Sequence, residues 1–264
     1  MNKPSKYLKV TTVQTKLFWE DIYKNLTLHS QSLSSIRKGS SDIIVFPEMF
    51  TTGFTMNAKL LAEDMNGQSV SWMLEMSERK NAVVCGSLII KERSKVFNRF
   101  VWAQPDGQLS YYDKRHLFAM AGEDKVFNQG EKRVIVNCKG WDILLQVCYD
   151  LRFPVWSRND SSYDICIYVA NWPEARRFAW KHLLIARAIE NQAYCIGLNR
   201  IGVDGIGITY KGDSMIVDPM GELVQERTWS TAKVITESLD YQKLSKIRAS
   251  LPFQADGDQF NIKL

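Results

Sequence analysis

Three short runs in this chain are almost wholly apolar: Ile43–Phe46, Ile143–Cys148 and Ile165–Ala170. They are too short for independent helices and too uniformly apolar for strands with one wet face. Such runs suit strands covered on both faces, so the fold must place layers on either side of a sheet. Segments with helical spacing supply those layers. Ile22, Leu26, Leu33 and Ile36 recur at spacings of 4, 7 and 3, one face of an amphipathic helix. Val70–Lys80 reads as a second helix carrying Trp72, Met73 and Met76. Arg176–Ala193 reads as a third, with Leu183, Leu184, Arg187 and Ile189 at inner or semi-inner positions. Tyr7–Gln14, Ala82–Ile90, Tyr194–Leu198, Ser214–Val217 and Val234–Leu239 are further strands. Phe97–Ala103 and Leu109–Asp113 form a hairpin around Pro105-Asp106-Gly107, and Arg133–Cys138 pairs with Ile143–Cys148 around Lys139-Gly140. The mixture predicts an α/β layered fold with a mixed sheet. No internal repeat and no Ser/Gly- or Pro-rich linker divides the chain, so one domain spanning 1–264 is expected.

Composition narrows the function classes. Hydrophobic residues make up 45%, enough for a sizeable core and too many for a disordered chain. The net charge of +5 is mild and scattered. The basic runs Lys114-Arg115-His116 and Lys132-Arg133 are too short for a nucleic-acid footprint, so no nucleic-acid partner is expected. No apolar run approaches the roughly 18 residues of a spanning helix, and the first 15 residues hold no apolar leader core. A cytoplasmic protein without membrane attachment is expected. None of the five Cys falls in a CxxC pair, which disfavours a disulfide framework or a zinc knuckle. With only His29, His116 and His182 present, and no HExxH, a His-rich metal site is disfavoured as well. His29 lies on the first helical stripe and reads as a helix-face or boundary residue; His182 reads as a helix-surface residue.

Three places put a reactive group at the end of an apolar strand, where α/β folds usually carry their sites. Glu48 follows Ile44–Pro47 directly. It is either a solvated loop carboxylate or, with its pKa raised by burial, a general base. Lys114 ends the return arm of the hairpin, either as a surface lysine or as a fixed cation for a developing oxyanion. Cys148 stands between an apolar strand and the polar, Pro-terminated stretch Tyr149–Pro154, either as a small buried hydrophobe or as a nucleophile on a strand–elbow–helix turn. Cys85, Cys166 and Cys195 lie within strands and fit the hydrophobe reading better; Cys138 lies near a turn.

The order Glu48, Lys114, Cys148 comes with wider motifs. These are Phe46-Pro47-Glu48-Met49-Phe50, Asp113-Lys114-Arg115-His116-Leu117-Phe118 and Met120-Ala121-Gly122-Glu123. Val147-Cys148-Tyr149-Asp150-Leu151-Arg152-Phe153-Pro154-Val155-Trp156 and Tyr168-Val169-Ala170-Asn171-Trp172-Pro173 follow, then Ala186–Gln192, Gly212–Ser214 and Asp218–Gly221. Together they resemble the nitrilase superfamily of carbon–nitrogen hydrolases from the first strand to Phe253, and within it the bacterial omega-amidase branch. The resemblance implies a four-layer αββα sandwich whose subunits commonly pair, here at least as a homodimer. It implies Glu48 as general base, Lys114 as oxyanion cation and Cys148 as nucleophile. Glu123 matches a second glutamate that positions substrate or water, and the Tyr149 backbone N–H completes the oxyanion hole. No metal or organic cofactor is implied.

Omega-amidases hydrolyse the terminal amide of short α-keto dicarboxylate monoamides such as 2-oxoglutaramate, and the free carboxylate of such a substrate needs a cationic anchor. Arg176, at the start of the third helix, is the candidate, with a solvated surface arginine as the alternative. Arg152, nearer Cys148, reads as structural. Phe118, Tyr149 and Trp172 are either pocket walls or ordinary core aromatics. The same triad also serves N-carbamoyl amino acids, nitriles or other small amides, and a non-catalytic scaffold is the alternative of another class. A Cys–His protease is disfavoured, because His116 is the only histidine near these motifs. The segment from Tyr241 to Leu264 packs on its own subunit or on a neighbour; the residues leave this open.

Overall fold

The computed structural model describes residues 3–160 and 162–262. Its strands are β1 (Tyr7–Gln14), β2 (Ile43–Val45), β3 (Val83–Glu92), β4 (Lys95–Ala103), β5 (Leu109–Asp113), β6 (Ile135–Cys138) and β7 (Trp141–Val147). They continue as β8 (Ile165–Ala170), β9 (Tyr194–Asn199), β10 (Ile201–Val203), β11 (Thr209–Lys211), β12 (Met215–Val217) and β13 (Lys233–Asp240). The helices are α1 (Ile22–Ser32), α2 (Ala58–Leu61), α3 (Gln68–Lys80), α4 (Arg177–Asn191) and α5 (Tyr241–Ser250).

Of the two large sheets, one has the order β13-β1-β2-β3-β4-β5 and the other β12-β9-β8-β7-β6, while β10 and β11 form a separate two-stranded ribbon. In the first, β1, β2 and β3 pair in parallel and the flanking strands are antiparallel. In the second, β7, β8 and β9 pair in parallel between antiparallel edges. Both sheets are therefore mixed, as expected from helices and hairpins alternating along the chain.

The two-residue side-chain period of a strand sorts the apolar runs into layers. Ile43, Val45, Val83 and Cys85 of the first sheet meet Ile143, Leu145, Val147, Ile165 and Ile167 of the second in one core between the sheets. Ile44 and Val84 point the other way, onto Trp72, Met73 and Met76 of α3. Leu144, Cys166 and Tyr168 point outward in the second sheet, onto Trp180, Leu184 and Ala188 of α4. The layers run helix, sheet, sheet, helix: the αββα sandwich. The continuous apolar runs exist because both faces of these strands are covered.

α4 lies close on β9 at Gly197, where an added Cβ would stand 2.2 Å from Leu184 Cδ1 and 2.9 Å from Trp180 Cζ2. Overpacking of this kind costs about 1–3 kcal/mol. Gly197→Ala is expected to lower the melting temperature by several degrees in a thermal scan, about 2–4 °C per kcal/mol at this size. An unchanged melting temperature would mean that α4 is free to move off the sheet.

Some expectations change on folding. Ile189 of α4 is 44% exposed, whereas Leu184, Arg187 and Ala188 face inward. His29 is fully buried, with Nε2 2.9 Å from the Phe50 carbonyl, and burial pushes its pKa down to about 4. It is a neutral core histidine, while His182 is exposed as expected. Residues 241–250, left open above, form α5 on their own chain. Leu244 enters the core between the sheets, and Arg248 reaches Asp164 at 2.8 Å and the Tyr163 carbonyl at 2.8 Å. Among the described residues no helix is long and apolar enough to cross a membrane.

Candidate active site

Three strand ends converge at one rim of the sandwich. After β2 the chain turns through Phe46, whose N–H donates to the Cys85 carbonyl, and Met49, whose N–H donates to Ser87 Oγ; Glu48 is held between them, fully buried. After β5, Lys114 donates its N–H to the Asn98 carbonyl and accepts at its own carbonyl from Gly130 N–H. Gly130 has to be a glycine, since a Cβ there would lie 2.0 Å from the Asp113 carbonyl oxygen. After β7, Cys148 opens a 3-10 turn, Cys148–Arg152, with φ of +45°. A non-glycine residue in that left-handed region marks a strained position of the kind that clusters at functional sites.

The side chains close on a buried cation. Lys114 Nζ lies 3.0 Å from Glu48 Oε1, and 3.0 and 2.9 Å from Glu123 Oε1 and Oε2. Lys114 is 1% exposed and both glutamates 0%. Burial works against the lysine charge, but Glu123 and then Glu48 outweigh it and hold the pKa of Lys114 well above its usual value. Burial raises the Glu123 pKa despite Lys114, and the Glu48 charge adds to the rise. Cys148 is partly exposed beside this cluster, with Sγ 4.0 Å from the Asn171 carbonyl. Burial and then the Glu48 charge push its pKa well up, with Lys114 opposing. The resting group is therefore a thiol, and an attack by it would need a base to take the proton.

Two asparagines that the motifs gave no role complete the cluster. Asn98 Nδ2 donates to Glu48 Oε1 at 2.8 Å and to Glu123 Oε1 at 3.0 Å. Its Oδ1 accepts from Ser87 Oγ, which fixes the amide orientation. Asn171 donates its backbone N–H to Glu48 Oε2 at 2.8 Å and its Nδ2 to the Glu48 carbonyl at 2.6 Å. Glu48 is thus an acceptor on both oxygens, which is the arrangement of an ionised carboxylate.

Glu48, Lys114 and Cys148 line a cavity of about 500 Å³, and Tyr149, Phe118, Trp172 and Arg176 line the same cavity. The Phe118 and Tyr149 rings meet edge to face at 5.0 Å, and the Phe118 N–H donates to Glu123 Oε2 at 2.6 Å. Trp172 Nε1 donates to the Arg176 carbonyl. The Arg176 guanidinium stands 5.2 Å over the Phe118 ring. Arg152 also reaches the cavity, exposed and 5.0 Å over Trp172. Neither arginine has a carboxylate partner among the described residues. A further wall comes from the ribbon of β10 and β11, through Asp204, Ile206, Ile208 and Tyr210. His116 turns its Nδ1 to Asp150 at 2.8 Å.

A family model of carbon–nitrogen hydrolases matches residues 9–249. The chain belongs to the carbon–nitrogen hydrolase family. Omega-amidase YafV of Escherichia coli K12 is 45% identical over 257 residues, covering 97% of this chain and 98% of the relative. A 2-oxoglutaramate amidase of Bacillus subtilis is 31% identical over 80% of this chain and 83% of its own. A CN-hydrolase superfamily protein of Xanthomonas campestris, solved with an arsenic adduct in its active site, shares the fold with a TM-score of 0.95. It is 41% identical and covers 97% of this chain and 99% of that one. As a carbon–nitrogen hydrolase the protein is an enzyme of amide C–N bonds, built on the nitrilase-type αββα sandwich.

Proposed function

We propose that this carbon–nitrogen hydrolase is an omega-amidase that converts 2-oxoglutaramate and similar short dicarboxylate monoamides to the diacid and ammonia. The observation that carries the catalytic part is the buried Lys114, held between Glu48 and Glu123 in the cavity that Cys148 enters. In this reading the Cys148 Sγ attacks the amide carbon as Glu48 takes the thiol proton. The carbonyl oxygen becomes an oxyanion, stabilised by Lys114 Nζ and the Tyr149 N–H. The C–N bond breaks, Glu48 returns the proton to the leaving nitrogen, and ammonia departs. The acyl group remains as a thioester on Cys148. Water, deprotonated by Glu48 and oriented with the help of Glu123, then attacks it and frees the acid and the thiol. Lys114 serves as an electrostatic group throughout; its raised pKa unsuits it to give up a proton near neutral pH.

The substrate part rests on the relatives named above and on the two guanidinium groups at the cavity. A monoamide of a diacid brings a carboxylate, which matches an arginine fork. The test is ammonia release from 2-oxoglutaramate beside an N-carbamoyl amino acid and an aliphatic nitrile. Release at least tenfold faster from the keto-amide supports the assignment; release from another substrate alone overturns it. Arg176→Ala is expected to raise KM for 2-oxoglutaramate about 10- to 100-fold, the worth of a hydrogen-bonded charge, while kcat changes less. A KM within twofold of wild type would move the anchor to Arg152.

A further inference from the structure

Asp150 stands two residues after Cys148, and the proposed chemistry does not use it. It is fully buried, yet no lysine or arginine pairs with it among the described residues. Its carboxylate instead collects three donors and a ring nitrogen, which donates in the tautomer that carries its proton on Nδ1. Oδ2 accepts from Tyr112 Oη at 2.8 Å and from the Val147 N–H at 3.0 Å. Oδ1 accepts from the His116 N–H at 3.0 Å and lies 2.8 Å from His116 Nδ1. The direction of the tyrosine bond is fixed, because Tyr112 Oη itself accepts from the Arg115 N–H and from Trp156 Nε1, each at 3.0 Å. Its single proton therefore goes to Asp150.

The sequence positions of these donors matter. Val147 and Asp150 bracket Cys148 and Tyr149. Tyr112 and His116 bracket Lys114. The bond from Val147 N–H to Asp150 closes the turn that holds Cys148 at φ of +45°, a conformation that costs energy and persists only when its surroundings enforce it. The His116 ring is further held by Phe153, stacked at 3.8 Å and 6° between planes, which belongs to the same elbow.

We propose that Asp150 is a positioning residue: it clamps the elbow carrying Cys148 and Tyr149 to the segment carrying Lys114, so that nucleophile and oxyanion donors keep one mutual geometry. The inference rests on the roles proposed above for those three residues. It does not depend on which amide is the substrate. Asp150 touches no reacting atom; it acts through Val147, Tyr112 and His116.

The test compares wild type, Asp150→Asn, Tyr112→Phe, His116→Asn and His116→Phe. The probe is p-nitrophenyl acetate, whose acylation of Cys148 needs the same oxyanion donors. Iodoacetamide alkylation of Cys148 is measured in parallel, because displacement of iodide forms no oxyanion. Asn at position 150 turns an N–H toward a donor, and displacement of a reacting group by about 1 Å costs on the order of 100-fold. Asp150→Asn is therefore expected to lose about 30- to 100-fold in kcat for the ester, with KM and the alkylation rate within about threefold of wild type. A merely structural role would instead speed alkylation and raise KM as the cavity loosens. His116→Asn, which keeps a donor near the Nδ1 position, should retain several times more kcat than His116→Phe. A folded Asp150→Asn with kcat within threefold of wild type overturns the clamp, and so does a loss confined to KM. If Asp150→Asn does not fold, Tyr112→Phe decides: about a fivefold loss in kcat supports the clamp, and unchanged kcat overturns it. Equal ester turnover by wild type and Cys148→Ala overturns the nucleophile and the clamp together. Failure on 2-oxoglutaramate alone touches only the substrate assignment.

Discussion

Cys148→Ala is expected to abolish amide turnover, with a loss on the order of 10⁶-fold in kcat, the scale seen when a covalent nucleophile is removed. The fold should survive. Cys148 is a partly exposed residue, and its contact with the Asn171 carbonyl is long, at 4.0 Å. Neither residue relieves the backbone strain at φ of +45°, since alanine pays the same Cβ penalty there as cysteine. A change in stability below about 1 kcal/mol is expected, read as a melting temperature within a few degrees of wild type. The thioester proposed above gives a second readout. Acid-quenched wild type under turnover should carry the acyl mass on the peptide containing Cys148, and the alanine variant should carry none. Turnover above 1% of wild type in a folded Cys148→Ala would remove the thioester from the reaction and leave the water attack to Glu48 alone.

Much of the fold was legible because burial leaves a period in the sequence. β1, β5 and β8 fall where the apolar runs and the hairpin turn place them, since both faces or one face of each strand are covered. What escaped has physical reasons. β10 and β11 join through Asp204-Gly205-Ile206-Gly207-Ile208, where glycines dilute any alternation. The ribbon tip is shaped by Asp204 Oδ1 accepting from the N–H groups of Ile206 and Ile208, a signal with no periodicity. Ile189 lies on the helix face turned to solvent, where an isolated apolar residue carries little penalty.

The site was legible in a different way. Spacing along the chain cannot bring residues 48, 114 and 148 together; only the resemblance named them jointly. The sheet topology does so because β2, β5 and β7 all end at the same rim of the sandwich. Asn98 escaped both routes, and Asp150, though it stands inside a quoted motif, was given no role. Each is a polar residue whose meaning lies in partners from other segments: Glu48 and Glu123 for one, Tyr112, His116 and Val147 for the other. A buried asparagine or aspartate is expensive unless its hydrogen bonds are met, and that requirement becomes visible only when the segments meet.

In the reaction proposed above, Lys114→Met combines a catalytic and a structural effect, because the same ammonium would stabilise the oxyanion and it pairs with both buried glutamates. Methionine fills most of the lysine volume, so the packing beneath Phe54, 5.3 Å from Nζ, is largely kept. The charge is not replaced. Glu48 and Glu123 would then face each other without a cation, and one of them takes up a proton in the folded state. Holding a carboxyl neutral at pH 7 against an unfolded value of 4.5 costs about 3 kcal/mol, at 1.36 kcal/mol per pKa unit. The variant is expected to melt about 10 °C lower than wild type at pH 7, given about 2–4 °C per kcal/mol for a chain of this size. The sign with pH follows from linkage. In the variant the folded state binds more protons than the unfolded one, so its deficit shrinks as pH falls and is small near pH 4.5. In wild type the lysine pKa is raised, so its contribution is fully present below its ordinary 10.5 and is lost only as pH climbs through the folded value. Thermal scans of both proteins from pH 4.5 to 8 therefore diverge with rising pH. Turnover should fall at least about 10³-fold, since one oxyanion donor is worth about 10²–10³ and protonation of the carboxyl pair disables the base as well. Parallel melting curves across that range would mean that the two glutamates do not depend on Lys114 for their charge. The buried cation would then be a catalytic group alone, and the stability of this rim of the sandwich would have to come from Asn98 and Asn171.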